Sequence, residues 1–291
     1  MSRDPTAAAI RLYDRFTHEG LDRRSFMTEL TRIAGGSAAA LALLSSIEAK
    51  AQARPMVAGD DPRIEAGAAQ LAGTSGTLIS GYAATPRTAT APASVLVVHE
   101  NRGLNEHIRD VTRRLAVAGF HAFAPDFLSR DGGTPADEDA ARAAIGRLDL
   151  GQATADGAAM VRGLAARPGG NGKVGALGFC WGGAMVNRLA VAAEGDLDAG
   201  VAFYGPAPSP AEAPRVQAPL LIHLAEKDER VNATALPWVL ALRQAGKPVR
   251  AINYHGAEHA FHNDTSAARY HPEHARRAWT ETLRFFRGHL R

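Results

Sequence analysis

Short apolar runs recur along residues 78–254 at the spacing of strands that alternate with helices. Val95-Leu96-Val97-Val98 is unbroken and rich in β-branched residues, the pattern of a parallel strand covered on both faces. Comparable runs stand at 78–82, 121–124, 173–178, 199–203, 219–224 and 249–254. Ile108, Val111, Leu115 and Val117 form an apolar helical stripe, with Arg109, Asp110, Arg113 and Arg114 falling largely outside it. Residues 137–148 and 153–166 are alanine-rich and read as helices by propensity, and further helices are predicted at about 235–245 and 273–290. This alternation predicts an α/β fold, a mostly parallel sheet with helices on both faces. Such sheets bind ligands beyond the carboxyl ends of their strands, so the chemistry is expected just after Val98, Leu177, Leu224 and Tyr254.

The first 53 residues follow a different pattern. Arg23-Arg24 precedes a mildly apolar stretch over 33–47, followed by Ala49-Lys50-Ala51 and Ala51-Gln52-Ala53. That is the order of a bacterial twin-arginine export signal with a small-residue cleavage site, and it predicts a periplasmic location. The alternative is a cytoplasmic protein in which Ile10, Leu12, Tyr13 and Phe16 belong to a retained amphipathic helix. The apolar stretch is too short and too weak for a stable membrane span. Residues 54–75 read as a linker, and 76–291 as one α/β domain.

Composition narrows the partners. Basic residues exceed acidic ones only by 33 to 30, and no concentrated basic stripe explains the pI of 9.2, so nucleic acid is not an expected partner. The single cysteine rules out an intramolecular disulfide and any cysteine-based zinc cage. It is either a small buried hydrophobe or a working thiol.

Its surroundings favour the thiol. Gly178-Phe179-Cys180-Trp181-Gly182-Gly183 follows a predicted strand and opens a predicted helix, the arrangement of a nucleophile elbow with cysteine in place of serine. A nucleophile at so sharp a turn needs small neighbours, which Gly178 and Gly182 supply, and the helix N-terminus stabilises negative charge developing there. The backbone N–H of Trp181 is the expected oxyanion donor. Asp228 and His259 lie in loops after later strands, in the chain order nucleophile, acid, histidine. In this reading His259 takes the thiol proton and later activates water, Asp228 fixes its tautomer, and Cys180 carries the acyl group as a thioester. Glu226 and Glu229 compete with Asp228, and His255 and His262 with His259. Hydrolysis should then fall on the acid side as His259 is protonated.

Val98-His99-Glu100-Asn101-Arg102-Gly103, Ala124-Pro125-Asp126, Gly178 to Gly183 and Gly256 to Phe261 together resemble the dienelactone hydrolase (carboxymethylenebutenolidase) family over about residues 76–290. The resemblance implies an α/β-hydrolase fold, no cofactor, a small ester or lactone as substrate, and a triad of Cys180, Asp228 and His259. It also implies that Glu100 holds the resting thiol in check, and that the N–H of Asn101 is a second oxyanion donor. The family's arginine after the catalytic histidine is replaced by Asn263, and a second family arginine aligns loosely with Arg142. Arg102 and Arg130 are the other cations able to take a substrate carboxylate. Three further readings compete: a thioesterase or acyltransferase on the same triad, a non-catalytic binding protein, and a metal site among His255, His259, His262, His271 and His274.

Overall fold

The computed structural model describes residues 5–18, 21–48 and 55–291. An eight-stranded sheet runs through the main body, formed by β1 (Ile64–Ala72), β2 (Leu78–Pro86), β3 (Ser94–Val98), β4 (His121–Pro125), β5 (Val174–Phe179), β6 (Ala199–Phe203), β7 (Leu220–Ala225) and β8 (Val249–Tyr254). The order is β1-β2-β4-β3-β5-β6-β7-β8, antiparallel across β1, β2 and β4 and parallel from β4 to β8. The expected mostly parallel sheet is therefore present, with β2 alone running against the other strands.

The central strands are apolar throughout because both of their faces are buried. In β3, Leu96 and Val98 join one apolar cluster with Met160, Val161 and Met185, whereas Val95 and Val97 join another with Ile108, Val111 and Phe286. The covering helices are α4 (Glu106–Val117), α6 (Leu150–Ala165), α7 (Trp181–Ala192), α8 (Glu229–Gln244) and α9 (Pro272–His289), with a short α5 (Glu138–Gly146) before α6. Each fully buried aliphatic or aromatic side chain contributes about 1.5–3 kcal/mol.

The linker reading of 54–75 is corrected. Its second half is β1, which pairs with β2 from Ile64↔Pro86 to Ala72↔Leu78. Glu65-Ala66-Gly67-Ala68-Ala69 carries little strand propensity, so the strand owes its existence to the hairpin partner rather than to its own side chains. Helix α8 also starts earlier than expected, because the Asp228 side chain accepts a hydrogen bond from the N–H of Val231 and caps it.

Before the sheet come α1 (Pro5–His18), α2 (Arg23–Ala34) and α3 (Ser37–Glu48). Ile10, Leu12, Tyr13 and Phe16 of α1 face Phe26 and Leu30 of α2 and Leu44 and Ile47 of α3 in a separate apolar cluster. Arg23-Arg24 opens α2, capped by Asp22. The small residues expected as a cleavage site, 49–53, lie outside the described residues. No single helix among the described residues is long and apolar enough to cross a membrane, although α2 and α3 pass by composition as a pair bent by 106°.

Helix α7 lies directly on the sheet. A Cβ at Gly178 would stand 2.1 Å from the carbonyl oxygen of Gly182, and one at Gly182 would stand 2.3 Å from that of Val98. Both obstacles are backbone, so neither can swing away. Gly182→Ala should cost about 2–3 kcal/mol of stability in urea denaturation, while Gly67→Ala, with nothing within 4 Å of its added carbon, should leave the midpoint unchanged.

Candidate active site

The parallel registers bring the functional loops to one edge. Val98 pairs with Gly178 and Phe179 with Phe203, so the chain leaves β3, β5 and β6 at the same level. Cys180 follows β5 with φ 54° and ψ −113°, a conformation that L residues rarely hold and that the close strand-to-helix turn imposes. Its N–H donates to the carbonyl of Phe203 at 3.0 Å, and its own carbonyl accepts from Ala184 at 3.0 Å in the first turn of α7. Tyr204 and Ala260 also hold positive φ, so three strained residues surround one point.

His259 and Asp228 arrive from the loops after β8 and β7. The Nδ1 atom of His259 bonds Oδ2 of Asp228, and both side chains are buried. Burial acts to lower the His259 value, but the carboxylate of Asp228 and the sulfur of Cys180 outweigh it and push it up to about 10. Burial likewise works against the Asp228 carboxylate, yet His259, Arg230 and the Val231 N–H hold it below its ordinary value. Both shifts describe one buried ion pair, with the hydrogen bond to Cys180 on its other side.

The competing residues are elsewhere. Glu226 accepts from His255 and from the N–H of Gly256 at the surface, and Glu229 lies in the first turn of α8. His262 is buried against Phe179 and Phe203, His271 stacks on His274 at 3.8 Å, and His255 is exposed. The five histidines do not converge, and among the described residues no group of three or more His, Cys, Asp or Glu is placed to hold a metal ion.

Glu100 is buried beside Cys180 and His259, where Oε2 accepts from Nδ2 of Asn263 at 2.6 Å. It does not pair with Arg102, which bonds Glu138 at 2.9 Å and the Tyr13 hydroxyl at 2.6 Å. His99 donates from Nδ1 to the Glu100 carbonyl, accepts at Nε2 from the N–H of Phe127, and lies parallel to the Trp181 ring. Burial keeps its value low, so it stays neutral and fixes the loop that carries Glu100 and Asn101.

Two cavities meet at Cys180. The larger, about 210 Å³, is walled by Asn101, Arg142, Ile145, Trp181, Pro206 and Arg230. The smaller, about 20 Å³, has room for about one water and touches Glu100, Asn101, His259, Asn263 and Arg269. The three positions expected to meet substrate, Arg102, Arg142 and Asn263, all line one or the other. Arg130 does not, being held by Asp156 at 2.9 Å. Arg230, Arg269 and Thr17 were not expected. Arg230 stands two residues after Asp228 and was within reach of a sequence reading, whereas no motif marks the other two.

The family model described as the dienelactone hydrolase family matches residues 79–290. The chain belongs to that family. It is 34% identical over 231 residues to Protein usf of Aquifex pyrophilus, covering 74% of this chain and 96% of that one. A candidate carboxymethylenebutenolidase of Aquifex aeolicus is 33% identical over 232 residues, covering 75% and 96%. A crystal structure of a candidate dienelactone hydrolase from Klebsiella pneumoniae superposes with a TM-score of 0.70 at 32% identity, covering 77% and 98%. The fold is that of the α/β-hydrolases, and the protein is a dienelactone hydrolase-like hydrolase.

The site rests on a second buried network. Asp264, next to Asn263, bonds Nδ1 of His107 at 2.8 Å and the guanidinium of Arg114, which also binds Asp110. Burial opposes the charged form of Asp264, but His107 and Arg114 hold the carboxyl well below its ordinary 3.8. A depressed carboxyl adds stability that is present above pH 3.8 and lost as pH falls through its folded-state value. Asp264→Asn should therefore cost about 2–3 kcal/mol at neutral pH. It should also flatten the acid limb of stability followed by urea midpoints from pH 7 downward.

Proposed function

We propose that this hydrolase cleaves small esters or lactones through Cys180, His259 and Asp228 by way of an acyl-thioester. The observation that carries the reading is Cys180 at a left-handed strand-to-helix turn, beside a buried His259–Asp228 pair whose proton it helps to hold.

The sulfur attacks the carbonyl carbon of an ester seated in the larger cavity, forming a C–S bond while the carbonyl π pair moves to oxygen. The backbone N–H groups of Trp181 and Asn101 meet that oxyanion, helped by the N-terminus of α7. Collapse breaks the C–O bond, and the leaving alkoxide takes the proton from the His259 imidazolium. His259 then accepts a proton from water, whose oxygen attacks the thioester. The C–S bond breaks with the electron pair returning to sulfur, and the carboxylic acid departs. Glu100, held by Asn263, lies beside the sulfur and opposes negative charge on it at rest; as entering substrate moves it aside, the thiol proton passes to the His259 ring and leaves the thiolate that attacks.

Transfer to an alcohol or thiol in place of water would use the same residues. The 20 Å³ space next to His259 and Cys180 suits one water and supports hydrolysis.

With p-nitrophenyl acetate, Cys180→Ala and His259→Ala should each lose at least about a thousandfold in kcat/KM while remaining folded by circular dichroism. Turnover that survives in Cys180→Ala would remove the sulfur from the reaction.

The pH profile separates the two half-reactions. His259 keeps its proton while the sulfur is charged, so, in place of the acid-side fall expected of a neutral histidine base, kcat/KM should decline on the alkaline side as pH approaches about 10. In the thioester the sulfur charge is gone and burial weighs more, so the His259 value that sets the acid limb of deacylation should lie below the one that sets the alkaline limb of kcat/KM. Identical limbs in burst and steady-state kinetics would count against this ion pair.

A further inference from the structure

Helix α1 lies across the active site. Its Thr17 lines both cavities beside Cys180, and the Thr17 carbonyl accepts from Nδ2 of Asn101 at 3.2 Å. The Tyr13 hydroxyl accepts from Arg102, and Arg142 lies over the Phe16 ring at 4.1 Å. Asp14 meets a buried cation. Its Oδ1 atom binds Nη1 of Arg269 at 2.8 Å, with Nε of the same arginine bonded to Ser266 at 3.1 Å.

Arg269 is buried and lines the small cavity with Glu100, Cys180 and His259. Of the other cations lining the two cavities, Arg102 binds Glu138 and Arg142 binds Asp139 at 3.3 Å, while Arg230 lines the larger cavity and pulls down the Asp228 carboxyl. A buried guanidinium without an anion is costly, and a fork of donors suits a carboxylate. In this chain that carboxylate comes from its own N-terminal helix. A substrate carboxylate seeking Arg269 would have to displace Asp14 and would be repelled by its negative charge.

We propose that Asp14 is a specificity-determining residue: it occupies Arg269 as an internal anion and so makes a site able to take carboxylate-bearing esters selective for neutral ones. The proposal rests on the hydrolase reading above for its kinetic test, though not for its binding test. Burial raises the Asp14 carboxyl above its ordinary value, while Arg269 and His259 pull against it, so its charge depends on the ion pair with Arg269.

The test compares p-nitrophenyl acetate with mono-p-nitrophenyl glutarate on the full chain. Asp14→Asn should raise kcat/KM for the anionic ester relative to the neutral one by about tenfold, and Asp14→Asn with Arg269→Gln should return the ratio to the wild-type value. Glutarate should raise the melting temperature of Asp14→Asn more than that of wild type or of the double variant. A folded Asp14→Asn with an unchanged ratio and no added response to glutarate overturns the proposal. Absence of ester turnover in every protein would instead defeat the hydrolase reading, and the glutarate shifts alone would then decide. Should Asp14→Asn fail to fold, Phe16→Ala loosens α1 while keeping both charges. It should move the ratio in the same direction, and an unchanged ratio there overturns the proposal equally.

Discussion

The contact between α7 and the sheet governs the rest of the site. The backbone at Gly182 lies so close to the carbonyls of Val98 and His99 that no side chain fits between them. That approach forces Cys180 into a left-handed conformation at the N-terminus of the helix, raising its sulfur above the carboxyl ends of the strands. It also sets the distance between the loop after β3, which carries Glu100 and Asn101, and the first N–H groups of α7. A wider turn would relieve the backbone but would separate the two expected oxyanion donors. Strain at one residue is thus offset by close packing over two strands and a helix.

Buried charge follows the same geometry. The parallel strands are apolar on both faces, so polar groups collect past their ends, where each must find a partner. Asp228 finds His259, and Glu100 finds Asn263. One residue further on, Asp264 ties the same loop to His107 and Arg114. Asp110 joins Arg114 and accepts from the N–H groups of Met56 and Val57, carrying the network to the segment before β1. The loop that holds both His259 and Asn263 is therefore anchored through α4 rather than by apolar packing alone. This explains why so many ionisable groups can be buried near one thiol.

Legibility in the sequence tracked how local each cause was. The elbow was readable because its requirement for glycine is set within five residues, and the central strands because two buried faces leave an unbroken apolar run. Asp228 and His259 followed from strand ends. β1 was missed because its alanines and glycine acquire strand geometry from β2, a partner in the chain but not a pattern in the segment. The Asn263–Glu100 bond spans 163 residues, and the Arg269–Asp14 pair spans 255, so neither leaves a local signature. The substitution of Asn263 for a family arginine was visible, but its consequence was not. The asparagine turns inward to the carboxylate rather than outward to a ligand.

The N-terminal helices show how an added element attaches to an existing site. They lie before the 79–290 segment matched by the family, and relatives aligned over 96% of their own length match only about three quarters of this chain. Within themselves they cohere through apolar contacts of Tyr13, Phe16, Phe26 and Leu30, and Ala268 is the hydrophobic residue of the main body that packs against this cluster among the described residues. Toward the active site they attach mainly by polar groups: the Tyr13 hydroxyl, the Asp14 carboxylate and the Thr17 carbonyl each meet a donor at the rim or inside the cleft. An apolar cover would have taken the carboxylate from the buried Arg269 guanidinium, at a cost of several kcal/mol, and one acceptor each from Arg102 and the Asn101 amide. The helix covers the site by satisfying it. The same groups that dock α1 are then those a substrate must replace or accommodate, so the affinity of the cover and the selectivity of the pocket are set by one group of contacts.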